Sequence, residues 1–218
     1  MEDKKLQEIV SSLILNRSSL EEAEQLLLDY VKNNPTDVDG WTKLVMLETL
    51  TPIEDYERAT EYLTTAIIYH KDNQLFHVLW YYFTEWFLGG LDEGLVNTAL
   101  GLKSTFGEET SSMLSYILAR HFQNKDINKF ESLLKESIQR CSMHVTNYTD
   151  LGRHYLSRGD KENGIALIRE GLLNVKVIYN DKNMDYDPLN MPRFVNEMIT
   201  GVFMTEGSYN SLINLVQK

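Results

Sequence analysis

The chain is poor in several things. It has one cysteine, four prolines and no long apolar run in 218 residues. The lone Cys141 excludes an internal disulfide, and with it the stapled scaffolds of small secreted domains. The prolines and glycines are scattered, so no Pro-, Gly- or Ser-rich linker stands out. No stretch approaches the ~20 apolar residues of a membrane helix. The opening Met-Glu-Asp-Lys-Lys is polar and leads into no signal-peptide core, which predicts a cytoplasmic location. Basic charge is also scarce. Lys and Arg number 21 against 32 Asp and Glu, for a net charge of −11. Phosphate neutralisation needs the opposite balance, so nucleic acid and anionic membrane surfaces are argued against. A basic protein partner is favoured, although acidity of this size also serves solubility alone.

Catalytic and metal-binding patterns are missing too. His70, His77, His121, His144 and His154 have no metal-ligand spacing with one another or with Cys141. There is no Walker loop, dinucleotide fingerprint or nucleophile elbow. Asp181, Asn183 and Asp185 open like a calcium loop. Tyr186 then replaces the turn glycine, and Pro192 stands where a bidentate Glu is required. Residues 179–190 are therefore read as a solvated loop insertion. No catalytic residue, metal or cofactor is predicted, and the chain is read as non-enzymatic.

What is present is helical periodicity with a slow beat. Hydrophobic residues make up 43% of the chain, enough for a core. Small or apolar anchors fall at Ala23, Ala59, Gly94, Phe130 and Gly164, spaced by 36, 35, 36 and 34 residues. A period near 35 marks a helix-pair solenoid. Twelve helices are expected, at 3–16, 19–34, 36–50, 53–71, 73–89, 91–105, 108–124, 126–140, 143–158, 161–178, 190–206 and 208–217. No segment alternates with period two, so no strand is predicted. Ser19 with Glu22 and Thr51 with Glu54 read as capping boxes, with Pro52 as first helical residue. Asp160 and Ser208 read as further N-caps.

The strongest unit runs from Asn147 to Gly171. It carries Tyr148, Leu151-Gly152, Tyr155, Gly159, Gly164, Ile168 and Gly171. Gly152 and Gly164 lack side chains, which lets two antiparallel helices approach closely. A second match has Ala23, Leu27, Tyr30 and Pro35, then Trp41 and Leu44, then Ala59, Leu63 and Ala66. These residues resemble the tetratricopeptide repeat (TPR). Other units are degenerate. Gly94 and Gly101 fit, but Tyr81-Tyr82 replaces Leu-Gly, and Phe130 takes a small-residue position where it would hold its helices apart. The resemblance implies an all-α fold, a right-handed α-α superhelix. It would form one domain over 1–218, a helical-hairpin solenoid of about six pairs. The pairs would run roughly 3–37, 38–73, 74–108, 109–142, 143–178 and 190–218.

In this family the first helix of each pair lines a concave face where partners dock. That register places Met46, Phe83, Trp86, Phe87, Phe122 and Arg153 as partner-binding residues, with Thr49, Ala119 and Leu156 beside them. Residues 76–88 are apolar nearly all round, so this helix is either covered on several sides or presents aromatic anchors. A chaperone-tail clamp is argued against. Thr42, Met46, Leu79, Phe83, Ser115 and Ala119 occupy the clamp positions, and Arg153 is the one cation there.

The expected function is a protein–protein interaction scaffold that holds a peptide or protein on its concave surface. An acidic immunity protein covering a basic toxin domain is the alternative, and a peptide-responsive regulatory sensor the second. Self-association is also open to a solenoid, whose end faces need covering.

Overall fold

Asp and Asn residues start most of the helices. In the computed structural model, Asp37 accepts from the amides of Asp39 and Gly40, Asp55 from Arg58, and Asn73 from Phe76. Asp92 accepts from Leu95, Asp126 from Asn128 and Lys129, and Asp160 from Asn163. Each satisfies amides that a helix start leaves without partners. Asp160 was expected in this role. The others were not, and part of the acid excess is therefore structural.

The structure describes residues 8, 10–13, 19–179, 189, 191–195, 199–200 and 206–217. Most of the expected first helix and residues 180–188 and 190 of the expected loop, with Asp181, Asn183, Asp185 and Tyr186, lie outside these residues, as does the side chain of Pro192. Every regular element among the described residues is helical. They are α1 (Leu20–Asn33), α2 (Val38–Glu48), α3 (Tyr56–Tyr69), α4 (Gln74–Phe87), α5 (Glu93–Lys103), α6 (Glu108–Phe122), α7 (Ile127–Arg140), α8 (Val145–Ser157), α9 (Lys161–Tyr179), α10 (Met191–Phe194) and α11 (Glu206–Gln217).

Three expected boundaries change. Ser19 precedes α1 but makes no side-chain capping bond. Thr51 and Glu54 do bond each other at 2.7 Å, yet the helix starts later, at Tyr56, on the Asp55 cap. Pro52 therefore lies in a turn, not at the first helical position. The helix expected over 190–206 does not run through Thr200, which is a bend whose carbonyl accepts from the Thr146 amide. The last helix begins at Glu206, ahead of Ser208.

The chain divides into two compact units. One comprises Met1–Gly89 with Asp187–Pro192, the other Gly90–Tyr186 with Arg193–Lys218. The division between Gly89 and Gly90 falls inside the pair expected over 74–108. In the first unit α1 packs on α2, α2 on α3 and α3 on α4. In the second, α5 through α9 pack each on the next, and α11 packs on α9.

Apolar residues at helical spacing build both cores. α1 buries Leu20, Ala23, Leu27 and Val31, and α3 buries Ala59, Thr60, Leu63 and Ala66. Small residues set the closest crossings. A Cβ on Gly40 would lie 3.0 Å from the Tyr30 ring, so α2 crosses α1 closely there. Gly94 and Gly101, though in repeat register, face open space or only the Asp92 carboxylate.

The α6–α7 pair makes close contact at two serines. Ser112 Oγ donates to Ser137 O at 2.9 Å, and Ser137 Oγ donates to Ser112 O at 2.6 Å. This contact lies seven residues beyond Phe130, whose buried ring meets His154 edge-on at 5.4 Å. α6 is enclosed all round from Ser111 to Ala119.

Candidate docking surfaces

The expected partner-binding residues divide by burial and by unit. Met46 and Phe83, in the first unit, have no exposed surface. Each is part of the core and has nothing to offer a docking partner directly. The flanking Ala119 is equally enclosed. Phe87 is 41% exposed and Trp86 half-buried, both at the end of α4. Phe122 is half-buried and Arg153 exposed, both in the second unit.

Most of the aromatic helix is therefore core. Phe76, Val78, Leu79, Tyr81, Tyr82 and Phe83 are buried, Leu75, His77 and Trp80 are half-buried, and full exposure begins at Phe87. There the Phe87 ring stacks on Tyr56, with centroids 3.7 Å apart and planes at 3°. Trp86 rests on Tyr82 at 4.5 Å. Such ring pairs hold their members in one orientation, so the exposed edge is preformed.

In the second unit Phe122 lies edge-on to His121 and beneath the Lys129 ammonium, 4.7 Å from its ring centroid. Arg153 lies in the field of Asp150, which also accepts from Arg120 and Tyr116 at 3.3 Å. Burial pushes the Asp150 carboxyl up, against the pull of both arginines. Glu131 ties α7 to α8. It accepts from His154 at 2.9 Å and from Arg158 at 2.7 Å, with Lys135 at 3.4 Å. Burial raises the carboxyl, but the His154 and Lys135 bonds and charges outweigh it and hold the group below its usual range.

The Ser112 hydroxyl also meets His144 Nδ1 at 2.7 Å. Those are the atoms of a nucleophile–base pair, but both side chains are buried among α6, α7 and α8. Asn147 joins them through Ser137 at 2.8 Å. Burial pushes the His144 imidazole down to about 4, so it is neutral. The group works as an interhelical link, with no surface for a substrate to reach. Among the described residues no three His, Cys, Asp or Glu are set to hold a metal ion. None of the helices there is long and apolar enough to cross a membrane. Burial raises the Cys141 thiol, away from reactive thiolate.

Two features of the first unit escaped the sequence reading. One is a carboxylate group between α1, α2 and α3. Glu24 accepts from Arg58 at 3.1 Å and from Tyr62 at 2.6 Å. Glu48, beside them, is fully enclosed, and neither carboxylate oxygen has a hydrogen-bond partner. Burial first, and the Glu24 charge second, push its carboxyl up to about 7. Nothing local marks Glu48, because its burial depends on helices distant in sequence. The other feature is the apolar end of α3, where Ile68 and Tyr69 are exposed. Both lie off the Ala59, Leu63, Ala66 stripe, and that offset was visible in the sequence.

Charge is unevenly shared. Residues 1–89 carry 16 acidic and 7 basic side chains, a net −9. Residues 90–218 carry 16 and 14, a net −2.

Comparison of the sequence with protein-family models and with curated proteins finds no match. Solved structures do match in fold. "MamA RS-1 ArsTM double mutant" is similar over 82% of this chain and 97% of its own, with TM-score 0.59 and 12% identity. "MamA 41-end from Desulfovibrio magneticus RS-1" gives TM-score 0.53 and 11% identity over 83% of this chain and 97% of its own. A further MamA crystal structure gives TM-score 0.53 and 11% identity over 85% of this chain and 100% of its own. MamA is a TPR-like helical repeat protein, and the likeness establishes the fold class of this chain as an all-α, TPR-like α-α superhelix.

Proposed function

We propose that the chain is a non-enzymatic helical-repeat scaffold that holds a protein or peptide partner of basic charge. The observation that carries this is the concentration of acid in residues 1–89, 16 acidic against 7 basic residues. Such a field draws a cationic partner and speeds its association. Helix-pair arrays also offer extended surfaces for their size, which suits recognition. On this reading the first helices of the pairs carry the contact residues. Trp86, Phe87, Phe122 and Arg153 would touch the partner, while Met46 and Phe83 support them from the core. A cytoplasmic location goes with the same reading.

The acid concentration also favours a second reading, an immunity-type protein that covers a basic toxin domain. Affinity capture of the tagged protein at low and high salt, with mass spectrometry of bound proteins, separates the two. A partner kept at high salt, and lost with Trp86→Ala in a still-folded protein, supports the scaffold. A stoichiometric basic partner released by salt supports neutralisation. Absence of any partner at either salt counts against both.

A further inference from the structure

The outward face of α3 has two ends of different chemistry. Ala59, Thr60, Leu63 and Ala66 turn inward. Glu57, Glu61, Thr64, Thr65 and Ile68 are exposed and recur at helical spacing, so they share the opposite face. Its first half is acidic and its last turn apolar. Ile68 is 65% exposed, the most of any large apolar side chain among the described residues, and Tyr69 beside it is 50% exposed. Tyr69 is braced from below by the buried Trp41 ring, stacked at 6.4 Å and 19°.

Charge around this face is one-sided. α1 lies alongside, as the Glu24 bonds to Arg58 and Tyr62 require, and it exposes Glu21 and Glu22. Arg58 is the cation on α3, and Glu24 and Asp55 both engage it. Beyond Tyr69, Lys71 and Asp72 offset each other. With a chain charge of −11, a second copy would meet this surface with like charge.

We propose that this face of α3 is a docking site for a basic amphipathic segment of a partner protein. The segment sets an apolar side chain on Ile68 and Tyr69 and cationic side chains on Glu57 and Glu61. At ~1.5 Å per residue, the acids stand roughly 10 and 16 Å from the apolar end, two and three helical turns. A helical ligand with Lys or Arg two and three turns from a Leu or Phe matches that spacing. Exposed Ile68 supplies the apolar anchor, and the acids fix direction and register. The inference rests on the chain being a protein-binding scaffold, but it puts the partner on α3, away from Trp86 and Phe87.

The test uses the 218-residue chain and a synthetic helix-forming peptide with Lys seven and eleven residues from a Leu. An otherwise identical peptide with Glu in place of Lys is the control. Backbone amide NMR maps the contact. The expected result is a footprint centred on residues 57–69, with no binding of the control. Affinity should fall at least tenfold in Ile68→Ser and in the Glu57→Lys, Glu61→Lys double variant. All three side chains are exposed, so circular dichroism should show folding intact. An affinity within twofold of the parent in both variants overturns the proposal. So does a footprint on Trp86 and Phe87, which would leave the scaffold reading standing. Failure of the Lys peptide to bind at all also overturns it, while the capture experiment decides the scaffold reading separately.

Discussion

Gly152 and Gly164 face each other across the α8–α9 crossing. A Cβ on either would lie 2.8 Å from the carbonyl oxygen of the other. Ile168 and Leu156 close the same space, each with a carbon 2.7 Å from one of those positions. The helices meet backbone to backbone, and no side chain larger than hydrogen fits without movement.

Gly152→Ala or Gly164→Ala should therefore destabilise the second unit by ~1–3 kcal/mol, the usual cost of overpacking. Gly101→Ala is the control, since nothing lies within 4 Å of its Cβ position. There alanine should stabilise by about 0.5–1 kcal/mol through helix propensity. Urea unfolding followed by circular dichroism distinguishes these outcomes. Equal effects at the three sites would contradict the close crossing.

Phe83 and Phe87 of α4 should separate. Phe83 is enclosed, so Phe83→Ala should cost ~3–5 kcal/mol. Phe87 is partly exposed and keeps mainly its Tyr56 stack, so Phe87→Ala should cost roughly 0.5–1.5 kcal/mol. The same unfolding assay reads both. A mild Phe83→Ala would show that the side chain is not core.

Glu48 gives the first unit an unusual pH dependence. Its carboxyl is raised in the fold to about 7 from an ordinary 4.5, so the folded state holds it neutral. Glu24 and Asp55 face it as like charges and Arg58 as the opposing one. Between these two values the folded state binds more protons than the unfolded one. Its contribution is complete below 4.5 and is lost as pH rises through about 7. Trp41, Trp80 and Trp86 all lie in this unit, so tryptophan fluorescence reports its unfolding. The urea midpoint should fall from pH 4.5 to 7.5, and less so in Glu48→Gln. An unchanged slope in that variant would remove Glu48 as the cause.

His144 should act with the opposite sign. Its imidazole is lowered from 6.5 to about 4, so the fold holds the neutral ring. That stability is present above 6.5 and lost as pH falls through about 4. Imidazole NMR should show one histidine titrating well below the ordinary range, and His144→Asn should remove that signal. Ser112→Ala should cost ~1–3 kcal/mol, because it leaves His144 Nδ1 buried without its partner.

Much of the fold was legible because it is written locally. The apolar stripe of α1 and the missing side chains of Gly152 and Gly164 are properties of short segments. They specify a buried face and a close crossing before any partner helix is known. The caps at Asp37, Asp55, Asn73, Asp92 and Asp126 were equally local, and each precedes an apolar-periodic run. The candidate site was less legible. Repeat register ranked Met46 and Phe83 with Trp86 and Phe87, since all sit on first helices. It said nothing of depth.

The sequence by itself determined the helices, their apolar faces, the Gly152–Gly164 crossing and the excess of acid. Only the tertiary structure decided which aromatics are covered, why Glu48 has no partner, and that Glu24 serves Arg58 and Tyr62. Helix formation and amphipathicity follow from residues three and four apart. Burial and ion pairing depend on neighbours some thirty residues away, and those distances exist only once the helices have packed.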